Sequence, residues 1–100
     1  MKERIVRFTA TARRHVQREH AWWAANRDDQ QMFANELEAA IRLLAFLPGL
    51  GSAYQQTKVV GLRRLYLDKL TSHLYYAYTD DEVIVRALWG ARRKRGPRLG

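Results

Sequence analysis

The chain has 100 residues, a length that suits one domain with a modest core, and 47% of them are apolar, which argues against disorder. Lysine and arginine total 18 against 10 acidic residues, a net charge of +8, and such a protein usually binds nucleic acid, a membrane surface or an acidic protein, unless the charge serves solubility alone. The absence of cysteine excludes disulfides and cysteine-based zinc sites, and no apolar run approaches the roughly 20 residues of a membrane span.

The first predicted elements are a short strand and an amphipathic helix. Residues 4–8 are strand-like and are expected at an edge of the sheet or early in it. Thr9 or Thr11 can cap a helix that we expect from Ala12 to about Ala25, because a hydroxyl accepts from a free amide of the first turn. The apolar stripe of this helix is formed by Ala12, Val16, His20 and Trp23. Trp22 lies off this stripe and is expected to be exposed.

A second helix follows a short turn. Asp28 or Asp29 is expected to cap it, and Pro48 to Gly51 end it, because proline cannot continue a helix. Its apolar face is Phe33, Leu37, Ala40, Ile41, Leu44 and Leu47. Two helices joined by so short a turn are predicted to form an antiparallel hairpin.

Three strands are predicted after a polar loop at residues 52–60. They cover residues 61–67, 72–79 and 82–89, with turns at Asp68-Lys69 and Asp80-Asp81. The order β-α-α-β-β-β indicates an α+β fold in one domain, residues 1–100. The helical hairpin is expected on one face of a small, mainly antiparallel sheet, and the other face is left for a partner or substrate.

Residues for catalysis or metal binding are not evident. His15 and His20 are about 140° apart on a helix and do not share a face, so surface or core-edge positions are expected. The chain lacks a nucleophile elbow and a phosphate loop, and Gly49 and Gly51 follow a helix rather than precede one. No metal and no cofactor is therefore expected.

Tyrosines and arginines on the strands are the ambiguous residues. Tyr76 and Tyr78 share a face and Tyr75 takes the other; strand packing is favoured over base stacking or proton transfer. Arg63 alternates with apolar residues, and Arg86 is expected to share a face with Ile84 and Leu88. With Arg92 and Arg93 the two form either a cationic patch for phosphates or acidic residues, or solvated cross-strand charges.

The last residues form a basic tail at 92–100, which can present charge to a polyanion or an acidic protein. Its cations are Arg92, Arg93, Lys94, Arg95 and Arg98, and no acid lies among them.

Several motifs resemble the ParE/RelE toxin superfamily of bacterial type II toxin–antitoxin modules. They are the helix end Leu-Ala-Phe-Leu-Pro-Gly-Leu-Gly at 44–51, Gly-Leu-Arg at 61–63, Tyr-Ala-Tyr at 76–78 before an acidic turn, and Val-Ile-Val-Arg-Ala-Leu-Trp-Gly-Ala-Arg at 83–92. Many members have histidine where this chain has Trp89. The resemblance covers nearly the whole chain and implies a RelE/ParE-like fold.

The resemblance also implies a toxin that a cognate antitoxin holds inactive. ParE-like members poison DNA gyrase, and hence replication, without catalysis, whereas RelE-like members cut mRNA in the ribosomal A site. A RelE-like site here would use Arg63, Arg86, Arg92 and Arg93. No tyrosine follows Leu88 and the tail lacks histidine and glutamate, so the ParE-like function is favoured. A non-toxic member that acts as a binding module is the third possibility.

The expected partner is an acidic, partly disordered antitoxin in a hetero-oligomer, with gyrase, or else the ribosome and mRNA, as target. A helix of the antitoxin is expected along the helical hairpin, and a strand of it could extend the sheet. A cytoplasmic protein without membrane contact is expected. The residues expected to contact antitoxin or target are Trp22, Arg63, Arg86, Trp89, Arg92, Arg93, Lys94 and Arg95.

Overall fold

The computed structural model describes residues 2–27, 29–55 and 58–99. Within them, the secondary structure consists of β1 (Ile5–Phe8), α1 (Ala10–Asn26), α2 (Gln30–Phe46), β2 (Ser52–Ala53), β3 (Arg63–Leu67), β4 (Ser72–Tyr78) and β5 (Glu82–Gly90). Short 3-10 turns at Pro48–Leu50 and Asp68–Leu70 follow α2 and β3.

The strands form one sheet in the order β1-β5-β4-β3-β2. β1 runs parallel to β5, and the other neighbours are antiparallel. The predicted α+β fold, with two helices on a mainly antiparallel sheet, is confirmed. One local prediction was wrong: Ser52 and Ala53 of the expected loop pair with β3. The turn predicted at Asp68-Lys69 is present and has the form of a 3-10 turn.

Side-chain caps begin both helices. The Ala12 amide donates to Thr9 Oγ1 and the Met32 amide to Asp29 Oδ1, both at 3.1 Å. Thr9 is thus the cap among the two predicted candidates, and α1 begins two residues earlier than expected, at Ala10. Asp28, the other candidate for α2, lies outside the described residues.

The main core lies between the helical hairpin and one face of the sheet. Ala12 and Trp23 of the predicted α1 stripe are buried, but His20 is exposed and stacks on Phe33 with ring centroids 5.4 Å apart. His15 is buried in its place, one turn after Ala12 and beside β5. The strands contribute Leu67, Leu74, Tyr76, Val83, Val85 and Leu88 to this core.

A bulge in β5 changes the direction of its last residues. Ala87 pairs with Tyr75 and Val85 with Tyr76, so Arg86 has no partner residue on β4. Leu88 therefore joins Val85 in the main core, although simple alternation would put them on opposite faces. The prediction that Arg86 and Leu88 share a face was wrong for this reason.

A buried polar cluster fixes the end of α2 against the sheet. The Tyr76 hydroxyl donates to the Pro48 carbonyl at 2.5 Å and accepts from the Gly51 amide at 2.9 Å. Arg63 donates from Nε to the Gly51 carbonyl at 2.8 Å and from Nη2 to the Gly49 carbonyl at 3.1 Å. These bonds satisfy backbone groups that the end of a helix leaves without partners.

Candidate functional site

An open cleft of about 450 Å³ lies between the C-terminal half of α1, the β3–β4 turn and the end of β5. Glu19 is the acidic residue of its lining, and Trp22, 46% exposed, provides apolar surface at its wall. Five cationic residues line the cleft: Arg18, Arg27, Lys69, Arg92 and Arg93. The site therefore favours anions.

Three arginines of the cleft lie against indole rings. The guanidinium carbons of Arg93 and Arg18 are 4.2 Å and 5.1 Å from the ring centroid of Trp89. That of Arg27 is 5.5 Å from Trp22. An arginine stacked on an aromatic face keeps the N–H groups at its edge available to an acceptor.

Thr71, a residue of the cleft lining with a strained backbone conformation, is hydrogen-bonded to the residue that precedes the tail. Thr71 has φ 46°, a left-handed conformation that costs a residue with Cβ roughly 1–2 kcal/mol. Its amide donates to the Asp68 carbonyl at 3.1 Å, and its carbonyl accepts from the Ala91 amide at 2.9 Å. The second bond fixes where the chain leaves β5, and thereby positions Arg92 and Arg93.

His15 supports the cleft from below. Its Nδ1 accepts from the Leu88 amide at 3.3 Å, and its ring centroid is 5.2 Å from that of Trp89. Burial, followed by the charges of neighbouring arginines, Arg18 first, lowers the pKa of His15. A neutral ring is therefore favoured, as the bond to Leu88 requires. Sequence analysis missed this role; the signal was the three-residue spacing from Ala12.

The site residues suggested by the sequence fall into two groups. Trp22, Arg92 and Arg93 line the cleft, and Trp89 lies beside it with its Nε1 donating to the Arg95 carbonyl at 2.6 Å. Lys94 and Arg95 are exposed on the tail.

Arg63 and Arg86 lie outside the cleft lining. The guanidinium of Arg63 is bonded to the carbonyls after α2, as described above. Arg86 borders a cavity of about 50 Å³ together with Thr9, Arg98 and Leu99, and its Nε is buried without a partner among the described residues. The structure therefore does not bring the four arginines into one patch.

Aromatic side chains cover the sheet face opposite the helices. Tyr66, His73 and Trp89 are register neighbours on β3, β4 and β5, and the Tyr66 and His73 ring centroids are 5.2 Å apart. Beside them, the Arg64 guanidinium carbon is 4.9 Å from the ring centroid of Tyr54. Burial, then the charge of Arg64, lowers the pKa of His73.

The tail returns over part of this outer face. Leu99 packs against a small cluster formed by Leu62, Tyr75 and Ala87. Tyr54 from the loop before β3 packs there as well. The face that the sequence left for a partner is thus partly covered by the chain itself.

Residues 2–27, 29–55 and 58–99 contain no group of three or more histidine, aspartate or glutamate side chains arranged to hold a metal ion. None of the helices described there has the length and apolar character needed to cross a membrane.

Solved structures with this fold include chains from two toxin–antitoxin systems. A chain of the chromosomal ParDE TA system from P. aeruginosa matches with a TM-score of 0.69 and 11% identity, over 88% of this chain and 96% of its own. A chain of the toxin–antitoxin complex RelBE2 from Mycobacterium tuberculosis matches with a TM-score of 0.64 and 21% identity, over 88% of this chain and 98% of its own. No protein-family model and no curated protein sequence matches the chain. The expected RelE/ParE-like fold is confirmed.

Proposed function

We propose that this protein is the toxin of a type II toxin–antitoxin module, that an acidic antitoxin neutralises it, and that it poisons DNA gyrase in the manner of ParE. The fold shared with ParDE and RelBE2 chains supports the toxin class. The cationic cleft is the observation that most favours a binding function over a catalytic one.

The acid–base groups of the cleft are poorly suited to proton transfer. Glu19 is 16% exposed, and its carboxylate is paired with the Arg93 guanidinium at 3.7 Å. His15 is buried and its Nδ1 is occupied by the Leu88 amide. Arginine remains protonated at any physiological pH and is a poor general base. Binding without chemistry therefore suits this site best.

The antitoxin surface we propose is the free edge of β1. The Ile5 and Thr9 amides donate to the carbonyls of Asp81 and Val85, so alternate residues of β1 direct their backbone towards β5. In a parallel pair the intervening residues, Val6 and Phe8, direct their backbone N–H and C=O groups to the side of β1 away from β5. A strand of the antitoxin can pair there.

An apolar groove beside β1 supports this assignment. The groove, about 610 Å³, lies between β1 and the helical hairpin, with Val6, Phe8, Val16 and Leu37 in its lining. The exposed Arg13 also lines it. A segment that alternates apolar and acidic side chains complements both the groove and this charge.

Controlled expression in bacterial cells tests the proposal. The wild-type chain is expected to induce a DNA-damage reporter and filamentous growth while protein synthesis continues. The cleft pair variant, Arg18→Gln/Arg27→Gln, is expected to lose toxicity. The control pair variant, Arg14→Gln/Arg42→Gln, removes the same charge from exposed helix positions outside the cleft and is expected to keep it. Harmless expression of soluble wild-type protein would contradict the proposal.

The outer face supports a second candidate, a RelE-like mRNA endonuclease. Tyr66 is largely exposed, His73 lies next to it, and Arg64 is held on Tyr54 nearby. Aromatic rings beside an arginine are suited to single-stranded RNA. Rapid arrest of translation with cleaved messages, abolished by Arg64→Gln and retained by the cleft pair variant, would favour this candidate.

A further inference from the structure

We propose that the cleft between α1 and the end of β5 is a binding site for the phosphodiester backbone of duplex DNA. In the proposed gyrase-poisoning function, the toxin would thus contact the DNA of the gyrase–DNA complex directly. That placement rests on the proposed function, whereas the affinity of the isolated protein for DNA at this cleft does not.

The state of the cleft arginines is the main support. The side chains of Arg18, Arg27 and Arg92 form no hydrogen bond or ion pair with any residue that the structure describes, although Arg18 and Arg27 are stacked on indole rings. The stacked guanidinium groups are therefore held in place with their donors unused. Phosphate oxygens are suitable acceptors for such donors, and the planar fork of arginine can contact two of them at once.

Several other arginines on the surface are engaged. Arg7 forms a 2.6 Å ion pair with Glu82, and Arg4 donates to the Thr79 carbonyl at 2.7 Å. Within the described part of the chain, unused arginine donors also occur outside the cleft, for example at Arg13 and at Arg64, which lies on Tyr54. The cleft is distinguished because three such arginines line one concave surface.

The shape and polarity of the cleft favour DNA over an acidic peptide. Trp23 and Leu70 are buried, so Trp22 is the exposed one of the three large apolar side chains in the lining. A docked peptide helix needs several apolar anchors along its length. The cleft is also open, so a continuous strand can pass through it, and a phosphodiester gains mainly from the arginines.

The test measures the affinity of the isolated protein for a short fluorescein-labelled DNA duplex across a salt series. Wild-type affinity is expected to fall linearly with salt on a double-logarithmic plot. The cleft pair variant is expected to lose about tenfold in affinity and to lower the slope by about two, because each phosphate contact contributes roughly 0.9. The control pair variant is expected to stay within about twofold of wild type, since its arginines are not phosphate ligands.

Two further arms make the result decisive. Arg27→Lys keeps the charge but removes the planar group stacked on Trp22, and we expect it to bind more weakly than wild type; it also guards against a variant that fails to fold. A polyglutamate peptide serves as the protein-like competitor. Equal losses in the two pair variants, no measurable DNA binding by the wild type, or tighter binding of polyglutamate than of DNA at the cleft would each overturn the proposal.

The two proposals can fail separately. DNA binding through the cleft without inhibition of gyrase would leave the phosphate site in place and remove the gyrase target. Gyrase inhibition by the wild type, together with unchanged DNA binding in the cleft pair variant, would support the gyrase target and remove the phosphate site.

Discussion

At the scale of single residues, the most constrained polar group is the Tyr76 hydroxyl. It lies in the main core, where it serves both the Pro48 carbonyl and the Gly51 amide. Its burial raises the pKa of Tyr76, so the hydroxyl stays protonated and remains a donor. A tyrosine that sequence analysis weighed for stacking or proton transfer is thus a packing residue with a structural hydrogen-bond role.

Tyr76→Phe is expected to lower the free energy of unfolding by about 1–3 kcal/mol, because it leaves two buried backbone groups without a partner. Urea denaturation followed by circular dichroism measures the loss. Tyr78→Phe is the matched control. Tyr78 is 39% exposed, so the loss of its hydroxyl should lower the free energy of unfolding by well under about 1 kcal/mol. Equal losses in the two variants would contradict the role given to the buried cluster.

His15 predicts a dependence of stability on pH. Its pKa in the folded protein is below the ordinary 6.5, so the unfolded chain binds more protons between those two values. The contribution of His15 is therefore complete above about pH 6.5 and declines as the pH falls towards the folded-state pKa. The contribution of His73 to stability changes with pH in the same direction, because the pKa of His73 is also lowered.

We expect the urea midpoint to fall between about pH 7 and pH 5, a range in which histidine titrates. His15→Gln should reduce this fall, and His15→Gln/His73→Gln should reduce it further. Asp81, whose pKa is lowered by its bond to Lys2, titrates below this range and does not interfere. A pH profile unchanged in the double variant would refute the assignment.

At the scale of elements, the approach of the α2 end to β3 depends on a missing side chain. A Cβ at Gly51 would lie 2.6 Å from the Tyr76 hydroxyl and 2.7 Å from the Arg64 carbonyl. Both neighbours are fixed, one in the core and one in the backbone of β3. Glycine is therefore required here by space rather than by an unusual backbone angle.

Gly51→Ala is expected to destabilise the protein by roughly 2 kcal/mol or more, since the pairing of β2 with β3 must shift. Gly61→Ala provides the comparison: Gly61 has φ 73° but open space around it, so strain of about 1 kcal/mol is expected. Thermal unfolding of both variants ranks the two effects. A milder effect at Gly51 than at Gly61 would show that the close approach relaxes easily.

Local patterns predicted most of these elements because each pattern depends on neighbours in the chain. The caps at Thr9 and Asp29, the α2 face and the β4–β5 hairpin are local in this sense. The parallel pairing of β1 with β5 and the two-residue β2 depend on contacts between distant segments. The bulge at Arg86 has no local signal in the alternation, so the faces of the residues after it were assigned wrongly.

At the scale of the whole molecule, the candidate site combines three separate segments. Arg18 and Trp22 lie eight and twelve residues past the start of α1, Lys69 lies in the β3–β4 turn, and Arg92 and Arg93 follow β5. Composition indicated an anion-binding surface, but only the packing of α1 along β5 shows which cations meet. The sequence also grouped Arg63 with them, although Arg63 begins β3 and the cleft lies at the β3–β4 turn, at the other end of that strand.

The tail is expected to contribute to stability through the outer face. A chain that ends at Lys94 loses the Arg95 carbonyl that accepts from Trp89 and the packing of Leu99 on Tyr75. We expect a loss of about 1–2 kcal/mol in the free energy of unfolding, and stronger binding of a hydrophobic dye to the uncovered face. Leu99→Ala should give part of the effect. Unchanged stability in the shortened chain would mean that the tail does not hold its place in solution.

The proposed action on gyrase, by binding through the cationic cleft, can be tested directly. The most direct measurement adds purified protein to gyrase supercoiling of relaxed plasmid and, in parallel, to in vitro translation with primer extension on the message. Inhibited supercoiling with accumulation of cleaved DNA is expected, together with an intact message. In the cleft pair variant, supercoiling is expected to be normal and the message still intact. With the wild-type protein, normal supercoiling together with codon-positioned cuts in the message would contradict the proposed action and would move the functional site to the outer face of the sheet.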